Sequence, residues 1–317
     1  MKRRVIQIGN STQLVSLPRK WALQYGIKKG DEVDIAEQGS TLLLSLGSVK
    51  KDRVVELDVS NLDNVSIIHY IQSAYKSGYD EIKVTFTNDK TLNVKTDQMM
   101  STMEAVRFVV HRLIGSEIIS QRQNYCIIRD ISQTAPNEFD NVLRRVFILL
   151  RDMAHHIAEG AEKNDKQLLR SVQEQHDTMT RFVAFCLRLL NKRGQEMHGQ
   201  TPVLFHIIAS LDKIADIYKH VAREIAELKE KPSKQLVQLI KSTNVSLDLY
   251  GDLYYKFSRP ALTELSKNRR RARSTLREVV EQLTPLEATL ASKYMSMLDT
   301  ILDITEWRMA LAINAPG

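Results

Sequence analysis

Hydrophobic and polar positions change period twice along this chain. In residues 1–47 they alternate in short runs, Val5-Ile6-Gln7-Ile8 and Leu14-Val15-Ser16-Leu17, separated by Gly9-Asn10-Ser11. Single alternation sends successive side chains to opposite faces, so these runs predict two short strands around a tight turn. Pro18 fixes φ at the start of a short helix running to Tyr25, and Gly26 supplies its left-handed stop. After the Lys29-Gly30-Asp31 turn, two more strands are expected over 32–36 and 42–45, hinged near Gly39. So few residues cannot close a monomeric core, which predicts an intertwined dimer.

Residues 53–131 mix both periods: strands over 54–59, 82–86 and 91–94, a helix over 65–77, then a helix over 101–114 and strands over 116–121 and 126–131. Ser101 and Glu104 have the spacing of a capping box, and Met103, Val106, Val110 and Leu113 form one apolar stripe. This is the pattern of a small α/β domain of ferredoxin-like type, free of chemical motifs, whose simplest role is to space the modules on either side.

From Pro136 onward the period is helical, with breaks at 194–199, Lys231-Pro232, Arg259-Pro260 and Thr284-Pro285. Six helices follow, over 137–162, 165–192, 202–229, 233–258, 261–282 and 285–312. Long amphipathic helices with short connections pack as antiparallel bundles, here two trios. The expected domains are therefore 1–47, 48–134 and 135–317, the last divided into repeats 135–230 and 231–317.

Composition narrows this picture without redirecting it. The 317 residues exceed one ordinary core, and 43% hydrophobic with 26% charged is globular usage. No apolar run approaches a membrane span, and the N-terminus lacks a signal peptide's apolar stretch and cleavage site, so a cytoplasmic protein without membrane insertion is expected. Cys126 and Cys186 are too far apart for a thiolate motif and read as core residues. A net charge of +7 favours polyanionic partners such as nucleic acid or an acidic protein surface.

The most specific internal signal is a repeat. Leu211-Asp212-Lys213-Ile214-Ala215-Asp216-Ile217 recurs as Leu298-Asp299-Thr300-Ile301-Leu302-Asp303-Ile304, on the third helix of each trio, as a duplicated unit would place it. Within each copy the aspartates stand at i and i+4 on one helix face and repel unless neutralised. They could hold a hard divalent or trivalent cation. Alternatively they form a solvated edge, with Asp216 meeting Lys219 or His220 and Asp303 meeting Glu306 through solvent. Asp152 with His155 or His156, and His176 beside Asp177, are thinner ligand candidates. Arg269, Arg273 and Arg277 share a face that is either solvated or set to meet an acidic partner or phosphate groups. No E-x-x-H pair, phosphate loop, G-x-S-x-G or H-E-x-x-H occurs, so the chain does not read as an enzyme.

Two resemblances bear on function. Ile8 to Ser11, Val15 to Trp21 and Tyr25 to Val33 resemble the AbrB/MazE/SpoVT swapped-hairpin family over nearly all of residues 1–47. Residues 137–314 resemble the PhoU family, whose third and sixth helices carry an E(D)xxxD metal-binding motif, matched by Asp212 with Asp216 and by Asp299 with Asp303. The combination is similar to the archaeal form of the PhoU-type phosphate uptake regulator. It implies a mainly α, multi-domain chain with a swapped-hairpin β domain, the α/β segment, and a PhoU-like pair of three-helix bundles. It also implies a homodimer, DNA binding, and a bundle-bound metal such as iron, zinc or magnesium. The role implied is phosphate-responsive regulation.

The resemblance departs at two places. Asn10, Ala22 and Leu23 stand where many DNA-binding relatives carry arginines, and the fifth helix has its arginine cluster where the second has Glu174, His176 and Asp177. Arg3, Arg4, Arg19 and Lys20, with Lys2, Lys28 and Lys29, remain available for phosphate-backbone contact. Two functions follow: a transcriptional regulator of phosphate uptake, or a regulator without DNA binding that acts on a phosphate ABC transporter or a phosphate-signalling protein.

Overall fold

The computed structural model describes residues 2–9, 12–38, 41–46, 52–132, 138–193 and 200–313 of the chain. They divide into two compact units, Met1–Lys51 and Asp52–Gly317.

In the first unit, β1 (Ile6–Ile8) pairs antiparallel with β2 (Thr12–Leu14), matching Ile6 to Leu14. The expected turn residues Asn10 and Ser11, and the expected hinge at Gly39, lie outside the described residues. Residues 15–17 leave the strand, because β2 ends at Leu14. Helix α1 (Arg19–Gln24) starts on Pro18 as its N-cap, and Gly26 follows it with φ at +67°, a left-handed conformation that glycine adopts without strain. A backbone turn from Lys28 to Asp31 leads to β3 (Val33–Gln38), paired antiparallel with β4 (Thr41–Leu46). None of the unit's residues whose burial is described is buried, and Leu23, Leu42 and Ile35 stand 72%, 62% and 58% exposed.

The second unit opens with a four-stranded sheet ordered β5-β6-β10-β9. Strands β5 (Val54–Asp58) and β6 (Glu81–Thr85) are parallel and adjacent, joined by α2 (Asn64–Lys76). The ferredoxin-like expectation is corrected here, because a split βαβ places another strand between its parallel pair, whereas β5 and β6 bond directly. The 91–94 run belongs to a separate hairpin, β7 (Lys90–Asn93) with β8 (Gln98–Ser101), and not to the main sheet. Strands β9 (Ser116–Gln121) and β10 (Tyr125–Asp130) complete it antiparallel.

Alternation explains the layering. Ile82, Val84, Cys126 and Ile128 turn inward to Ile67, Ile71 and Tyr75 of α2 and to Val106 and Val109 of α3 (Thr102–Val110), while Glu81 and Lys83 face outward. Asp63 caps α2 by accepting from the backbone N–H groups of Val65 and Ser66. The expected capping box at Ser101 does not form: Ser101 is still paired with Lys90 in the hairpin, and its side chain makes no cap bond.

Six long helices follow: α4 (Glu138–Lys163), α5 (Lys166–Arg193), α6 (Thr201–Glu227), α7 (Lys234–Tyr255), α8 (Arg259–Val279) and α9 (Pro285–Ile313). A short 3-10 turn, Val280–Gln282, extends α8. Helices α4 to α6 pack together, as do α7 to α9, and the trios meet through α4 against α7 and α6 against α9. Gly160 lets α4 and α5 close on each other, since a Cβ there would stand 2.7 Å from Leu169 Cγ. Tyr218 of α6 and Tyr294 of α9 meet across the trios at 6.3 Å between ring centroids.

Candidate functional site

The repeated aspartates sit beside the apolar stripe of α6, where Leu211, Ile214, Ala215 and Tyr218 are buried and carry the helix into the core. That stripe leaves Asp212 and Asp216 half-buried, facing α5. Asp216 Oδ1 meets Nε2 of buried His176 at 3.0 Å and Nζ of Lys219 at 2.6 Å. The His176 hydrogen bond, above all, and the Lys219 ammonium hold the Asp216 carboxyl well below the usual carboxylate range. Asp212 is its opposite. It makes no hydrogen bond or ion pair among the described residues, and burial, reinforced by Asp216, raises its carboxyl against the pull of Lys76, His176 and Lys219.

The site reaches the α/β layer. His176 Nδ1 lies 3.4 Å from Asp177, which in turn pairs with Arg112 just past α3. Sequence reasoning singled out His176, Asp177 and Lys219 but missed Arg112, whose role depends on how the α/β layer docks.

On α9 the same pattern meets different neighbours. Asp299 accepts from Arg269 Nη2 at 2.6 Å and from Arg273 Nη2 at 2.7 and 2.9 Å. The acidic partner of the α8 arginines is thus their own α9. Asp303 is exposed and has no ion pair among the described residues. No hydrogen bond or ion pair among the described residues joins the α6 aspartates to those of α9.

These surroundings bear differently on a metal. Asp212, Asp216 and His176 are oxygen and imidazole donors of the kind that suits a divalent cation, provided Lys219 swings away from Asp216. Two guanidinium groups on Asp299 make a satisfied anion, and that position does not fit a cation. Among the described residues no group of three or more His, Cys, Asp or Glu side chains is gathered as for a metal ion. Of the thinner candidates, His155 faces Asp248 at 3.4 Å and His156 pairs with Gln175 at 3.1 Å, and neither meets Asp152.

A second polar centre carries the junction between the layers. Arg188 of α5, 1% exposed along its side chain, donates to the carbonyls of Tyr75 at 2.9 Å and Tyr79 at 2.8 Å and to Asp130 Oδ2 at 2.7 Å. Lys192 bridges Asp130 at 3.0 Å and Asp80 at 2.6 Å. Burial alone would raise the Asp130 carboxyl, but bonds from Ser132, Arg188 and Lys192 outweigh it and hold it at about 2. A single arginine within the apolar run 182–190 was the sequence signal for this centre.

In the first unit, Arg3 and Arg4 precede β1 and Arg19 and Lys20 open α1; all four are exposed. Residues 6–53 match the family model described as "Antidote-toxin recognition MazE, bacterial antitoxin". The N-terminal module is therefore of the MazE/AbrB type, which fits a DNA-binding regulatory role. No curated protein and no solved structure matches the chain. Among the described residues no helix is long and apolar enough to cross a membrane.

Proposed function

We propose that this chain is a dimeric DNA-binding regulator of phosphate uptake, in which residues 52–317 sense or relay phosphate status to the N-terminal module. The carrying observation is the MazE-type match over residues 6–53. Support comes from the exposed cations Arg3, Arg4, Arg19 and Lys20 and from a β module in which no residue whose burial is described is buried. Such a module gains a core by pairing with a second copy, and two-fold pairing doubles its cations. In this reading the helical unit is PhoU-like and binds a metal ion at Asp212 and Asp216, while at the second position, Asp299 and Asp303, Arg269 and Arg273 already neutralise Asp299. A bound cation would relieve the repulsion of the α6 pair. The chain has no catalytic role in this account.

The test is binding to the promoter DNA of phosphate-uptake genes across a salt series. Arg3→Ala with Arg4→Ala should flatten the slope of log K against log salt by roughly 0.9 for each phosphate that is no longer neutralised. Unchanged affinity and slope in the double variant would remove these cations from the DNA interface. An absence of salt-dependent binding by the unaltered protein would favour action on a phosphate transporter or signalling protein instead.

A further inference from the structure

The groove between α5 and α6 changes sign along its length. One end holds Asp212, Asp216 and His176. A helical turn further along α6, a cavity of about 320 Å³ is lined by Arg170 and Gln173 from α5 and by Lys219, Arg223 and Glu227 from α6. That volume lies in the range of roughly 300–1,000 Å³ typical of small-molecule sites. The spacing follows from helix geometry: Lys219, Arg223 and Glu227 are four residues apart, on one face, and Arg170 and Gln173 share the facing side of α5.

The charges in this cavity are unequally satisfied. Arg170 and Arg223 have no carboxylate partner among the described residues, and Arg223 Nη2 donates only to Nδ1 of His220, at 3.3 Å. Glu227 is the single acid in the lining. Several arginines of the second unit pair with acids, as Arg112 does with Asp177 and Arg269 and Arg273 do with Asp299, while others such as Arg144, Arg145 and Arg181 have no ion pair among the described residues; what sets Arg170 and Arg223 apart is that both line one cavity. Two guanidinium groups without a carboxylate partner thus line one concave, partly apolar pocket, and arginine binds tetrahedral oxyanions through paired N–H groups.

We infer that the basic end of the α5/α6 groove is a binding site for a phosphate-type oxyanion, free or as a monoester, held by Arg170, Arg223 and Lys219. Lys219 is the group shared by the two ends. An oxyanion that draws its ammonium into the cavity loosens the 2.6 Å contact with Asp216. The carboxylates of Asp212 and Asp216 are then left with less compensating charge, and the acidic end gains affinity for a cation. The inference deepens the phosphate-sensing reading by naming its ligand class, but it does not depend on DNA binding.

Isothermal titration of the full-length protein with orthophosphate, at ionic strength held constant with potassium chloride, tests it. Saturable binding of one phosphate per chain is expected, weakened at least tenfold by Arg170→Gln with Arg223→Gln. Lys231→Gln with Lys234→Gln, at a separate lysine-lined cavity on α7, should leave it unchanged. Matching far-ultraviolet circular dichroism and melting temperature establish that each variant is folded, and Arg170→Lys with Arg223→Lys should recover part of the affinity. Asp216→Asn frees Lys219 and removes a nearby negative charge, so it should tighten phosphate several-fold; no change or weakening would overturn the shared-lysine role. Parallel titrations with a nucleoside monophosphate and with sulfate identify the source: tighter monoester binding assigns the site to esters, equal or weaker to the free ion. Absence of saturable binding by all three ligands, or full binding by the Arg170/Arg223 glutamine variant, overturns the site. Because promoter binding is read separately, phosphate binding without DNA binding would overturn only the functional reading, and the reverse only the site.

Discussion

Arg188 takes a full charge into the interior, a placement that survives only because each donor that matters finds an acceptor. Removing it leaves Asp130 with Ser132 and with Lys192 as its one cation among the described residues, and strands the carbonyls of Tyr75 and Tyr79, so Arg188→Met should destabilise the protein by about 3–5 kcal/mol in urea unfolding at neutral pH. The partner acid adds a pH signature. Its carboxyl is held at about 2 in the folded chain, below the roughly 3.9 of a free aspartate. That stabilisation is complete above the unfolded value and is lost as pH falls from about 4 to about 2; a shift of this size is worth about 2 kcal/mol. The stability gap between the unaltered protein and Asp130→Asn should therefore narrow across that window. A gap independent of pH would show that the charge of Asp130 contributes nothing.

Helices α6 and α9 carry one seven-residue pattern with two outcomes, decided by the helix each one faces. Next to α6, His176 and Lys219 engage Asp216 and leave Asp212 without a partner among the described residues. Next to α9, Arg269 and Arg273 both close on Asp299, and the Nε of each arginine is buried without a partner. Burial raises the Asp212 carboxyl, so its folded form favours the proton and the ionised group costs stability as pH rises past its folded value. In thermal melts with chelator at pH 7, Asp212→Asn should keep or raise the melting temperature. It should also remove any rise that a divalent cation produces in the unaltered protein, since ligand binding to the folded state adds stability by mass action. Asp299→Asn should lower the melting temperature equally with and without the cation, because it strands two guanidinium groups. A cation-induced rise that survives Asp212→Asn would end the metal reading of that pair.

At the scale of the molecule, the two units are unlike in kind. Residues 52–317 bury a continuous set of apolar side chains, from Leu57 in the sheet to Ile304 in α9. The first unit exposes Val5, Ile6, Ile8, Leu14, Leu23, Ile35 and Leu42 and has strands of only three to six residues. Exposed apolar edges of that kind are covered by self-pairing. Light scattering of the full-length protein at micromolar concentration should give the mass of a dimer, and deletion of residues 1–51 should give a monomer. A monomeric full-length mass, or a dimer that survives the deletion, would place the interface elsewhere.

The periodicity of the chain determined most of its elements, though not β8 (Gln98–Ser101). Proline and glycine punctuation located the six long helices to within three residues at their ends, and single alternation located three of the four short strands of the N-terminal module, the second forming over Thr12–Leu14 instead of the expected 14–17. The aspartate repeat was visible for the same reason, since i, i+4 spacing on a helix is a local property. What lay beyond local rules came from tertiary packing. Direct pairing of β5 with β6 was decided by which sheet edge β10 filled, and the failed Ser101 cap by the hairpin that claimed its backbone. Lys219, three residues from Asp216 on the same helix, was a local partner, but the His176 contact of Asp216 and the two arginines on Asp299 come from side chains dozens of residues away, brought together by the packing of α5 on α6 and α8 on α9. A charge has no periodicity: its meaning depends on the partner within a few ångströms, and spacing along one helix cannot specify what a second helix presents.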